Sequence, residues 1–391
     1  MIGSIYISMS GMNSFDKGLG NISSNVANMN TNGYKRSDLS FQNTLTNEFN
    51  QNSATEAKLM STDFTQGELQ ASSSSTDMAI NGLGYFILRD EGNTYYTRSG
   101  EFDFDADGFL VHKANGYRVA GLSGTSSLQD INIKDLRAID STPTTEIELV
   151  GNLSVSGTLH NITDVEVIDD DGNRRVLSLE FTNNSATTPQ SWLIEVQDET
   201  GATIASGLEI RFNPNGSPMD GFNSVNFDLE ADSGAITAIN LSMGDPGSFN
   251  QVTHFSSGST SSAEIDTVNG SSAGVMVGLE IDKSGNIVVN YSNGESRQAS
   301  QMALAYFQGN DSLVGQDLGL FQSNGSENPI IGAVDEGGLG IIEGGKIELS
   351  NVELTSEFTD MIIIQRGYQA SSQILTSANE MIQQLMEATS K

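Results

Sequence analysis

Apolar residues recur along this chain with two different periods. Over the first thirty residues Ile5, Met12, Leu19 and Val26 fall seven apart, and Phe15, Ile22 and Met29 form a second series offset by three. A seven-residue repeat with two apolar positions predicts a helix whose seam packs on another helix. The seam is imperfect: Ser8 occupies the place ahead of Phe15, and Gly3, Gly11, Gly18 and Gly20 interrupt it, each costing about 1 kcal/mol relative to Ala in a helix interior. This helix should be weak alone. Asn30-Thr31-Asn32-Gly33 provides a stop, because Asn and Gly accept the left-handed cap conformation. The last forty residues carry a matching repeat: Leu354, Met361, Tyr368, Leu375 and Ile382, with Ile364, Ala378 and Leu385 offset by three and no proline after Leu354. Thr355 or Ser356 can cap its start, and Glu357 and Asp360 suit the positive end of the helix dipole. Two terminal seams suggest pairing with each other; two amphipathic helices lying separately on a globular core is the alternative.

Between them the period changes to that of strands. Residues 78–88, 94–98, 102–104, 109–112 and 117–122 are short apolar or aromatic runs separated by Gly, Asn and Asp, which predicts hairpins. Longer alternating strands are expected at 147–159, 163–169, 175–182, 191–197 and 203–212, weaker ones near 224–229 and 235–242, a Ser/Gly-rich return linker at 256–274, and renewed strand pattern at 275–291. The fold class expected is α+β, mainly β: discontinuous N- and C-terminal helices forming a coiled-coil-like pair, plus two nested β domains. The boundaries follow: 1–30 and 354–391 helical, 31–70 connecting, 71–145 and 286–353 a first β domain, 146–285 an inserted outer β domain.

Composition narrows the chemistry. At 391 residues the chain has room for two or three cores. Cysteine is absent, which removes disulfides, thiolate zinc sites and thiol nucleophiles. The net charge of -32 opposes binding to nucleic acid or an anionic membrane surface. The inserted segment is acidic as well, with only Arg174, Arg175, Arg211 and Lys283 as its basic residues, as suits a domain facing water. No basic, continuously apolar leader opens the chain, and no run approaches the roughly 18 to 20 apolar residues that span a bilayer, so neither a cleaved signal nor a membrane anchor is expected.

Three motifs suggest chemistry and are better explained as turns or loops. Gly270-Ser271-Ser272-Ala273-Gly274 has nucleophile-elbow spacing but is followed by a strand pattern where an elbow needs a helix. Asp103, Asp105, Asp107 and Gly108 open like a calcium loop, yet the closing position is Ala114 and the flanks alternate as strands; a hairpin turn fits better, as it does for Asp169-Asp170-Asp171-Gly172-Asn173. Weak cation binding stays open at both. His112, His160 and His254 are scattered. No catalytic residue, metal ligand or cofactor is assigned.

Residues 21–35, NISSNVANMNTNGYK, resemble the N-terminal signature of the axial proteins of the bacterial flagellum, the rod and hook family, through Asn21, Ile22, Asn25, Val26, Ala27, Asn28, Thr31, Gly33, Tyr34 and Lys35. Ser24 departs from the usual asparagine. Gln66-Gly67, Asp77 to Phe86, Tyr96 to Gly100 and Phe102 resemble the family's first β domain. Leu349 to Val352, Met361-Ile362, Gln365-Arg366 and Tyr368-Gln369-Ala370 are similar to its C-terminal helix, with Gly367 and Ser371 as departures. The resemblance implies a non-enzymatic subunit of an extracellular helical homopolymer, with the terminal helices as an inner tube and the insertion outward. It further implies type III export without a cleaved signal, and rod, hook-cap and hook-filament-junction proteins as partners. The long insertion points to a hook-type member, although Tyr34 is the residue common in rods. A rod-type driveshaft and a secreted β-rich adhesin are the competing classes. The interrupted seams suggest termini that order only on assembly.

Overall fold

The computed structural model describes residues 2–45, 53–123, 127–309 and 312–389. Part of the expected connecting segment (46–52) and the last two residues of the C-terminal helix therefore lie outside the described residues. The chain forms two compact units: one of Met1–Leu136, Gly278–Asn290 and Ser296–Lys391, the other of Arg137–Val277 and Tyr291–Glu295.

In the first unit, helix α1 runs Ile2–Ala27 and helix α2 Leu354–Thr389, about 39 and 54 Å long at 1.5 Å per residue. The segment after α1, expected only as a connector, contains an antiparallel pair of strands, β1 (Ser37–Leu45) and β2 (Ser53–Thr62), lying beside α1. Strands Leu69–Ala71 and Met78–Asn81 then pair with Lys346–Glu348 and Ile341–Gly344, so the segments leading away from and back to the helices run side by side. The run 78–88 is two strands, because Gly82 and Gly84 adopt φ of 113° and 127°, closed to side chains. The body centres on Tyr85–Asp90, bonded to Asn93–Thr97 and Arg118–Ser123, and on Ser296–Tyr306. Alternate residues face opposite sides: Phe86, Leu88, Met302 and Leu304 enter one core, while Tyr85, Ile87, Ala303 and Ala305 enter another. Asp105 to Gly108 is the turn of a hairpin joining Phe102–Phe104 to Leu110–His112, with the Phe109 amide donating to Asp105 Oδ1 at 2.8 Å.

The second unit packs a four-stranded antiparallel meander, from Leu159–Ile168 to Thr203–Arg211, against a sheet of Ser224–Glu230, Ile236–Ser242, Glu146–Asn152, Val252–Thr253 and Glu264–Val268. Trp192, Phe181, Phe212, Leu149 and Leu241 are buried between the two. Two expectations change here. The strand expected at 147–159 stops at Asn152, because Ser154 is drawn into a turn: its amide donates to Ser261 Oγ at 2.9 Å and its hydroxyl to the Gly258 carbonyl at 2.6 Å. The expected linker at 256–274 includes strand Glu264–Val268, paired with Glu146–Asn152; its Ser/Gly-rich flanks hid the alternation. Ser271 bridges Thr142 and strand Gly274–Ile281 follows, so Ser272, at the nucleophile position of the motif, lacks the helix an elbow requires.

His254 is buried, donating from Nδ1 to the Leu153 carbonyl at 2.8 Å and stacking on Phe212; burial holds its pKa below the usual histidine value. The unfolded chain therefore takes up a proton near pH 6.5 that the folded unit resists, and stability falls as pH drops through that range. Thermal melts at pH 7.5 and 5.5 should show the loss, and His254→Gln should reduce the difference between the two pH values.

Candidate functional site: the helix pair and its buried junction

The two helices run antiparallel, since Asn25 meets Glu357, Gly18 meets Ile364, Phe15 meets Gly367 and Gly11 meets Ser371. Small residues make this contact. A Cβ built on Gly18 would lie 2.7 Å from Ile364 Cδ1, and one on Gly367 would lie 2.5 Å from the Phe15 ring. The glycines that weaken each helix alone allow close approach, and Ser8 and Ser14 are buried rather than breaking the packing.

Of the residues in the sequence seams, Ile22, Ile364 and Ala378 are buried; Ile5, Met12, Phe15, Leu19, Val26, Met29, Leu354, Met361, Leu375 and Ile382 are half-buried; Tyr368 and Leu385 are exposed. The outer sides of the pair carry large apolar side chains, including Tyr6, Ile7 and Met9 on α1 and Phe358, Ile362, Ile363, Ile374, Met381 and Met386 on α2.

Below the helices lies a buried polar junction assembled from the signature residues. The Asn25 side chain accepts from the Ser37 amide at 3.1 Å and the Tyr34 hydroxyl at 3.3 Å, and donates to the Ser37 carbonyl and to Glu357 Oε2. Asn21 adds a bond to the same carbonyl at 2.6 Å. Asn28 folds back on Ser24 and accepts from Thr31, closing the helix. Gly33 follows with φ 72°, where a side chain would strike the Ser99 amide at 2.3 Å. The Arg36 guanidinium comes within 2.8 Å of Glu357, without hydrogen-bond alignment, and also reaches Asp360 and Asp38. Its backbone amide donates to Asn351, whose side chain donates in turn to the carbonyls of Asp63 and Thr65.

At the centre is Glu348, wholly buried. Its Oε1 accepts from Lys35 Nζ at 2.5 Å and the Gly67 amide at 2.9 Å, Oε2 faces Arg98 at 3.4 Å, and its backbone carbonyl accepts from Gly33 at 2.7 Å. Burial lowers the Lys35 pKa from the ordinary lysine value, while the Glu348 charge and hydrogen bond work against that shift. Arg98 also donates to the Gly82 carbonyl and lies over the Tyr85 ring; burial raises the pKa of that phenol.

The structure thus brings Asn21, Asn25, Asn28, Gly33, Tyr34 and Lys35 to one junction. Ala27, Gln365, Arg366 and Ala370 are instead exposed on the helices. Glu348 and Arg36 stand in no local motif of the sequence; the only signal for Glu348 is that a buried lysine needs a carboxylate.

Paired terminal helices are tied by a polar junction to β structure inserted between them, an arrangement that suits a structural subunit. Three family models match: "Flagella basal body rod protein" over residues 5–35, "Flagellar hook protein FlgE/F/G D1 domain" over 79–170 and "Flagellar basal body rod FlgEFG protein C-terminal" over 343–388. Relatives named flagellar hook protein FlgE match over nearly the whole chain. The protein from Borreliella burgdorferi is 29% identical, covering 99% of both chains, and that from Escherichia coli is 27% identical, covering 97% of this chain and 98% of its own. The crystal structure of Helicobacter pylori flagellar hook protein FlgE2 shares the fold at a TM-score of 0.50 and 14% identity, covering 70% of this chain and 99% of that one. In all of these comparisons the chain is similar to flagellar hook and basal-body rod proteins.

Two measurements probe the site. Glu348→Gln should lower unfolding stability by about 3 kcal/mol or more, because two buried cations lose their counter-charge, as read by denaturant titration. Gly20 has open space around it, so Gly20→Ala should raise helix stability by about 1 kcal/mol in circular-dichroism melts, whereas Gly367→Ala, pushed against Phe15, should not.

Proposed function

We propose that this chain is the subunit of a flagellar hook, a curved tube built from many copies that passes torque from the rod to the filament while bending. The observation that carries this reading is the near-complete coverage by relatives named hook proteins, extending through the second β unit. The terminal helices would line the tube, and their exposed apolar residues would be covered by helices of neighbouring copies. The inserted unit would face outward, and separate β units allow neighbours to slide without dissociating. The role is architectural, with no catalytic step assigned. By family, the rod, hook-cap and hook-filament-junction proteins are the partners, and the chain would leave the cell through a type III apparatus. Among the described residues no helix is long and apolar enough to cross a membrane.

Much of the apolar surface of the helix pair is uncovered in one chain, so its ordering would be completed only in the polymer. Electron microscopy of polymers grown from the purified chain should reveal curved tubes. Straight tubes would favour a rod subunit, and a chain that never polymerises would favour a monomeric binding protein. Deleting residues 358–391 should abolish polymerisation, and a protease should cut those residues readily in soluble subunits but slowly in polymer. Curvature unchanged by either ionic strength or mild acid would argue against any contribution from repulsion between the acidic outer units.

A further inference from the structure

The second unit carries twenty-one Asp and Glu against four Arg, but these charges are unevenly placed. Strand Glu146–Asn152 carries the chain away from the end of the sandwich where it enters, and Glu264–Val268 brings it back. The opposite end is made by residues 153–158, 184–190, 212–223 and 243–262, as the pairings Asn183 with Trp192, Ser191 with Arg211, Ser224 with Ser242 and Gly151 with Val252 require. Those four segments contain only two charged residues, Asp220 and Asp245.

The same end exposes aromatic surface. Phe249 and Phe255 stack on each other with centroids 6.0 Å apart and an interplanar angle of 23°, and they remain 51% and 48% exposed. Val155, also exposed, donates its amide to the Phe255 carbonyl at 3.4 Å. Phe255 is held in position: the Asn152 side chain accepts from its amide at 2.8 Å and donates to its carbonyl at 3.1 Å. Exposed aromatics on a charge-depleted surface have the character of an interface core.

We infer that this end of the second unit is a contact surface for a second copy of this chain. The inference rests on the proposed polymer. Copies of so acidic a unit repel one another wherever their charged faces meet, and this end brings almost no carboxylates of its own to the face of the neighbour that it meets. In a polymer of uniform polarity the contact is heterologous, this surface meeting a different face of the neighbour.

The chain has no cysteine, so Ser256→Cys in the full-length protein provides one reporter beside Phe255. It should react with a maleimide in soluble subunits and at least about tenfold more slowly in polymer. Phe249→Ser with Phe255→Ser should raise the critical concentration for polymerisation about tenfold, with the fluorescence of the single tryptophan, Trp192, and the melting temperature of the soluble chain unchanged. Equal maleimide reaction in both states overturns the inference while leaving the hook reading intact. So does polymerisation of the double variant at the parental concentration, or a reporter open in polymer that a neutral oligosaccharide such as chitohexaose protects. A chain that does not polymerise overturns the hook reading and this inference together.

Discussion

The structure of the first unit depends on one buried carboxylate. Glu348 is held through its side chain by Lys35 and Gly67, faces Arg98, and is bound through its backbone by Gly33. These residues come from the exit of α1, the approach to the first body strands, the body itself and the strand returning to α2. No single segment could bury its charge alone. Lysine at this depth is disfavoured by desolvation and arginine is almost never neutral, so each requires Glu348, and Glu348 requires them. Such a centre adds little net stability compared with an apolar substitute, but it tolerates few alternative arrangements. It therefore sets how the helix pair is mounted on the β body.

The polar layer around Asn25 does the same work one step closer to the helices. A single amide satisfies the Ser37 backbone in both directions and touches Tyr34 and Glu357, so α1, the start of β1 and the first turn of α2 are fixed by one side chain. An asparagine suits this position because it offers donor and acceptor together. Neither Asp nor Leu can reproduce that pattern.

The terminal helices were legible from the spacing of Leu19, Ile22, Met361 and Ile364, and the hairpin turns from Asp105 to Gly108 and Asp169 to Asn173. The pairing of α1 with α2 was suggested by their matching periods. The small residues that form its closest contacts were not, because a seam is read from large apolar positions: Gly11 and Gly18 counted as interruptions, and Gly367 and Ser371 as departures from the family pattern. The junction was legible only as family resemblance: Lys35 and Glu348 are 313 positions apart, and no local pattern connects them. Strand Glu264–Val268 was missed because turn-forming residues flank it and its inward side chains are only half-buried.

The distribution of residue size over the helix pair explains why those interruptions are useful. Had α1 and α2 faced each other through leucines, each chain would bury its best apolar surface within itself and present a polar exterior. Here each of the closest intrachain contacts has a small residue on one side, Gly18 against Ile364, Gly367 against Phe15 and Gly11 against Ser371, while Phe358, Ile362, Ile363, Ile374 and Tyr6 are left exposed. The hydrophobic driving force scales with the area removed from water. A pair arranged this way covers only part of its apolar surface within one chain and leaves an imbalance, with much area still to gain by being surrounded by other helices. In a polymer, that imbalance favours contacts between copies over contacts within one copy, and the buried junction keeps each outward face at the same angle on its β body.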